Sequence, residues 1–305
     1  MASRHIVNNV AMKGQFPYFA QIFYMDRGNK LFQEIEICTA SIIHSQWVLT
    51  AAHCLQPIEV SFETLRVSVV FAGSVKVHDT YAQKQVIKGY IVHPLFKFAR
   101  NPKTGLINME NDVAIAELQR KFKLNSDVKP VKLPSINLLK KEVLPKCHMG
   151  WIIGMGFNNG FQKEEVSFVR FQNVFVQTTK DITKYVHIFP TKNVFFSSTL
   201  SKNFVGNAGG PFVCKYRNGT HVQYGVISHI LNNTVQHQIV TLYESVQFHL
   251  DFIVDNVPST KKPRTFQPNV MAARASTRSN NKTDVIFYVK FYIFILLCLI
   301  NSESI

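Results

Sequence analysis

An all-β fold, a sandwich or a pair of barrels followed by one C-terminal helix, is predicted by three features of this 305-residue sequence. Short runs rich in β-branched and aromatic residues fill residues 6–243, among them FPYFAQIFY, IEICTASII, LRVSVVFAG, VSFVRFQNVFVQ and YGVISHI. Gly, Asn, Pro and Asp separate these runs, as turns between short strands require. The stretch ESVQFHLDFIVDNV then changes period: Val246, Leu250, Ile253 and Val257 recur at helical spacing, and Pro258 stops them. A helix over residues 244–257 is therefore expected.

Beyond it, residues 258–284 are rich in Lys, Arg, Ser, Thr and Asn and read as a basic flexible linker. Residues 285–300, VIFYVKFYIFILLCLI, are apolar except for Lys290. A helix of this length spans roughly 24 Å against about 30 Å of hydrocarbon. It reads as a membrane span, as a lipid-anchor signal with small residues near Ala275, or as neither. The basic linker before it would face the cytosol under the positive-inside tendency.

Composition narrows the class. Apolar residues make up 46% and aromatics 12%, which excludes a disordered chain. The net charge of +15 favours a polyanion, an anionic membrane surface or acidic partners through a diffuse field. No zinc-finger, RNA-recognition or helix-turn-helix signature is present, so nucleic acid is not expected. Five cysteines contain no C-x-x-C pair, and no metal cluster or phosphate loop stands out, so no metal and no cofactor is expected. Four cysteines in the body of the chain point to an oxidising compartment. The sequons at Asn218, Asn232 and Asn281 fit export and glycosylation. The start MASRHIVNN lacks the apolar stretch of a signal peptide. An extracellular or surface-anchored protein is nevertheless the expected location.

Six motifs occur in a telling order: IVNN with GQFPY, ASIIHSQWVLTAAHC, ENDVAIAEL, CHMGWIIGMG, VGNAGGPFVC and YGVISHI. Together they resemble the chymotrypsin/trypsin-like serine proteases over residues 6–257. The resemblance implies two six-stranded antiparallel Greek-key β-barrels, about 6–122 and 123–243, a helix at about 244–257, and a short extension over residues 1–5. It implies disulfides Cys38–Cys54 and Cys147–Cys214, with Cys298 left over.

That chemistry needs a hydroxyl nucleophile, an imidazole to take its proton and a carboxylate to hold the imidazole. The resemblance gives His53 and Asp112 the last two roles. The position of the nucleophile holds Ala208, preceded by Asn207. The oxyanion hole would use the backbone amides of Gly206 and Ala208. The specificity pocket would be lined by Lys202, Ser228 and Ile230, with Phe204 where a cysteine is usual. Neither Ser201 nor Ser228 sits on the Gly-rich turn that aims a nucleophile. The expectation drawn from Ala208 is a chain that is not an enzyme, a family homologue that binds a protease, an inhibitor or a receptor. Two alternatives are an endopeptidase with unconventional activity and a surface-anchored adhesive protein.

Overall fold

The computed structural model describes residues 9–26, 34–55, 66–76, 79–100, 107–135, 142–155, 168–178, 193–200, 208–233 and 238–258. All belong to one unit, Met1–Ser259. Residues 1–5, the linker beyond Pro258 and the apolar stretch 285–300 lie outside them.

The chain begins with a short strand, β1 (Asn9–Val10), then β2 (Phe19–Asp26), β3 (Glu34–His44), β4 (Trp47–Thr50), β5 (Arg66–Ala72) and β6 (Gln83–Val92). A small ribbon, β7 (Lys97–Arg100) with β8 (Ile107–Glu110), precedes β9 (Ala114–Leu118). The order β2-β3-β4-β9-β6-β5 closes into a barrel with every neighbour antiparallel. Small residues make closure possible: Ala20, Ala40, Ala72, Ala114 and Ala116 are buried beside Ile22, Ile42, Leu49, Val70 and Ile115. Alternating in-and-out side chains fill so narrow a barrel completely.

The second half contains β10 (Met149–Gly154), β11 (Arg170–Phe175), β12 (Val194–Leu200), β13 (Pro211–Lys215), β14 (His221–Asn233) and β15 (Gln238–Ser245). They form a seven-stranded sheet in the order β1-β11-β10-β13-β14-β15-β12. One expectation changes here. Strand β1 pairs with β11, so the start of the chain belongs to the second half and not to the first barrel. The second half is a half-barrel in which the residues just after β11 meet β12 at a single bridge: Gln177 N–H donates to Phe196 C=O at 2.8 Å. Its core is aromatic, with Phe195, Phe212 and Tyr243 in mutual contact at 4.9–5.2 Å between ring centres.

The helix is shorter than residues 244–257. Glu244 and Ser245 remain in β15, paired with Val226 and Gly225, and α1 covers only Leu250–Asn256. Ladder hydrogen bonds to β14 hold the start of the periodic stretch extended. Val246 and Ile253 still point inward, into the core cluster of the first barrel. The disulfides Cys38–Cys54 and Cys147–Cys214 are both formed, with Cα atoms 6.0 and 5.9 Å apart. The second spans 67 positions, a closure that stabilises on the order of 2–4 kcal/mol by restricting the unfolded chain.

The turn 208–210 ties the halves together. Thr39 N–H in β3 donates to Ala208 C=O at 2.9 Å, and Gly209 N–H donates to Ile227 C=O in β14 at 2.7 Å. Gly209 has φ +81°, and a Cβ there would run into Thr39 O and Thr50 Oγ1. Gly209→Ala is therefore expected to lower stability by about 2–4 kcal/mol, from left-handed strain plus overpacking. Chemical denaturation read by fluorescence checks this, and an unchanged midpoint would refute it.

A second expectation concerns pH. On the outer side of the second half, Tyr18 Oη lies 3.0 Å from His221 Nδ1. Trp151, Phe16 and Phe171 surround the pair, and Lys215 Nζ sits 4.9 Å over the Trp151 ring. Burial, then the nearby Lys215 charge, hold the His221 imidazole below its ordinary value. Burial also pushes the Tyr18 hydroxyl well up, so it stays neutral and can donate to Nδ1. As pH falls through about 6.5, the unfolded chain takes a proton that folded His221 refuses, and stability drops. Unfolding curves at pH 7.5 and 5.5 should show this loss, and His221→Gln should reduce it. An equal loss in the variant would rule out His221 as its source.

Candidate active site

The strand β4 ends at Thr50, and a single 3₁₀ turn, Ala52–Cys54, carries His53. Ala51 and Ala52 are fully buried and the Cys38–Cys54 bridge anchors the turn, so His53 has a fixed base. Asp112 lies in the bend between β8 and β9. Asn111 there adopts φ 53°, a left-handed conformation that Asn tolerates, and its Nδ2 donates to Leu95 C=O at 2.9 Å.

These two elements bring imidazole and carboxylate together. His53 N–H donates to Asp112 Oδ1 at 2.9 Å, and His53 Nδ1 lies 2.7 Å from Asp112 Oδ2. Asp112 is 0% exposed, and buried carboxylates need such donors. The ring orientation places the proton on Nδ1 and leaves the Nε2 lone pair free for a base's work. Cys54 Sγ stands 3.8 Å from Nε2. The sulfurs of Cys38 and Cys54 and a His53 nitrogen lie within 4.8 Å of one another, but the disulfide denies both thiolates to a metal.

Ser228, which the resemblance put along the specificity pocket, is buried, and its Oγ donates to Asp112 Oδ2 at 2.6 Å. A bulge in β14 between Ile227 and His229 breaks the ladder at this position, as bulges that re-aim a side chain do. Its hydroxyl is thus committed to the carboxylate. Ile230 is half-buried against the aromatic core of the half-barrel. His229 beside it is held below its ordinary value, first by burial and then by His53, with Asp112 opposing. A neutral His229 adds no positive charge next to His53.

Ala208 is half-buried and its methyl packs against the first core cluster. Its carbonyl accepts from Thr39 N–H and, at 3.2 Å, from Thr39 Oγ1. Lys202, Phe204, Gly206 and Asn207 lie outside the described residues, as does Asn281. Of the remaining sequons, Asn218 is exposed at the β13–β14 turn, where its Oδ1 accepts from Thr220 N–H at 3.0 Å, while Asn232 lies within β14.

Residues with no motif complete the site from behind. Glu244 Oε1 accepts the N–H of Asp112 at 2.9 Å, and Asn193 and His249 hold the same carboxylate. A lone acidic residue in the apolar strand QIVTLYES was the one available signal. Sequence alone does not say that its side chain turns inward.

Known proteins resemble this chain throughout the described unit. The family model described as Trypsin matches residues 6–253. Serine protease 28 of Mus musculus is 26% identical over 237 residues, covering 73% of this chain and 78% of its own. Tryptase of Mus musculus is 28% identical over 240 residues, covering 73% and 80%. Granzyme F of Mus musculus is 25% identical over 223 residues, covering 72% and 78%. The expectation that the chain is not an enzyme is corrected by these matches, since the family and its named relatives point to an enzyme. That expectation rested on one side chain, Ala208, while His53, Asp112 and Ser228 form an unbroken hydrogen-bonded chain. By the match over residues 6–253, the chain belongs to the trypsin family.

Proposed function

We propose that this chain is a polypeptide-binding member of its family, and that hydrolysis in its cleft uses water as the nucleophile. The observation that carries the reading is a complete Ser228–Asp112–His53 chain in a protein whose residue 208 carries only a methyl. A methyl cannot attack a carbonyl, so His53 Nε2 has no side-chain hydroxyl at position 208 to deprotonate. A water between Nε2 and a bound carbonyl is the remaining acceptor of that role, and the Ala208 amide can still stabilise the oxyanion. In a serine protease of unrelated fold, loss of the serine costs about 10⁶ in turnover and leaves about 10³–10⁴ over water. Slow turnover of that order is the expectation here.

With turnover slow, binding lasts. The partner is an extended protein segment, supplied by a protease, an inhibitor or a receptor. Two disulfides and the exposed sequon at Asn218 support an oxidising, extracellular setting for such an encounter. Among the described residues no helix is long and apolar enough to cross a membrane.

The test uses the purified full chain and a series of extended peptides varied at the residue before the cut. Binding is read by calorimetry and cleavage by mass spectrometry. His53→Ala should abolish cleavage while changing affinity only a few-fold. Ala208→Ser should raise turnover by about 10³-fold or more, because the hydroxyl would meet a base already oriented. Cleavage that survives His53→Ala would move the chemistry elsewhere. No binding by any peptide, with no gain in Ala208→Ser, would sink the cleft as the working surface.

A further inference from the structure

Behind Asp112 lies a charged cluster that the proposed chemistry leaves unused. Glu244 on β15 and His249 before α1 are 1% and 3% exposed, and His249 Nε2 is 2.9 Å from Glu244 Oε2. Asn193 Nδ2 lies 2.8 Å from Glu244 Oε2, 3.0 Å from His249 Nε2 and 3.1 Å from Asn111 Oδ1. One proton, on His249 Nε2 or on Glu244 Oε2, closes the 2.9 Å contact between them. Glu244 Oε1 then takes the backbone N–H of Asp112 at 2.9 Å.

A buried carboxyl–imidazole pair is a poor device for stability alone, because well-packed apolar residues commonly serve as well or better. Its placement points elsewhere. Val113 N–H donates to Asn111 C=O at 2.8 Å, closing a tight three-residue turn centred on Asp112. In that turn the Asp112 side chain meets His53 and Ser228, while its N–H meets Glu244. A buried N–H requires an acceptor, and no backbone carbonyl bonds this one in the turn. Glu244 and Asn193 hold the turn at two successive residues, Asp112 through its N–H and Asn111 through its side chain.

We propose that Glu244, clamped by His249 and Asn193, is a positioning residue that holds the Asp112 turn and thereby sets the orientation of His53. The proposal rests on the His53–Asp112 geometry and not on cleavage, so a failure to find turnover would leave it standing. Burial raises the Glu244 carboxyl above its ordinary value, against the opposing pull of His249 and the Asp112 amide.

The experiment is proton and nitrogen NMR on the full chain, following the Nδ1–H resonance of His53. Asp112→Asn defines the position of that resonance when the carboxylate is gone. Glu244→Ala should move the signal most of the way to that position, whereas Glu244→Gln, which retains an oxygen for the Asp112 N–H, should restore it. An unchanged His53 signal in Glu244→Ala would overturn the proposal. Should Glu244→Ala not fold, amide exchange in the unsubstituted chain decides. Asp112 N–H should exchange as slowly as the core amide of Ile115, and exchange as fast as that of exposed Arg217 would overturn the assignment.

Discussion

The Asp112 carboxylate is the constraint around which the described unit is organised. It is fully buried, and a charge at that depth persists only when donors surround it. Two come from the His53 turn of the first barrel and one from the bulged Ser228 of the half-barrel. Its backbone N–H is taken by Glu244, also from the half-barrel. Satisfying one carboxylate therefore fixes the relation between β4, the β8–β9 bend, β14 and β15. The two sheets meet where this carboxylate is solvated by protein.

The turn 208–210 imposes a second fixed point by different means. It has no charge, only backbone hydrogen bonds to β3 and β14 and a glycine pressed against Thr39 and Thr50. Thr39 contributes both its N–H and its Oγ1 to the Ala208 carbonyl. Preorganised amides of this kind hold their direction without help from the side chains they belong to. The α1 helix and the turn before it act on the same interface, since Ile253 and Val246 join the first barrel's core.

What could be read from the sequence follows from how local each feature is. His53 and Asp112 sit in short stretches whose neighbours, Ala51, Ala52, Cys54 and Val113, are themselves fixed by packing, so a linear motif carries the geometry. The strands with clear β-branched content were equally legible. Glu244, Asn193 and His249 were not, because Asn193 reaches the other two from a segment some 50 positions earlier and none lies in a motif. Ser228 was legible as a residue but not in its direction, which a one-residue bulge decides. The helix start was misplaced because helical spacing at Val246 coexists with ladder pairing at Glu244 and Ser245, and pairing prevailed. The place of β1 was hidden for a related reason: two residues pair across some 160 positions, and no pattern within Asn9–Val10 encodes that partner.

Scaffold and chemistry separate at residue 208. Among the described residues, the hydrogen bonds that shape its turn are made by backbone atoms of residues 208–210, so alanine there leaves them in place. The His53 imidazole takes its orientation from Asp112. The base is likewise independent of residue 208, because none of the donors to Asp112 comes from it.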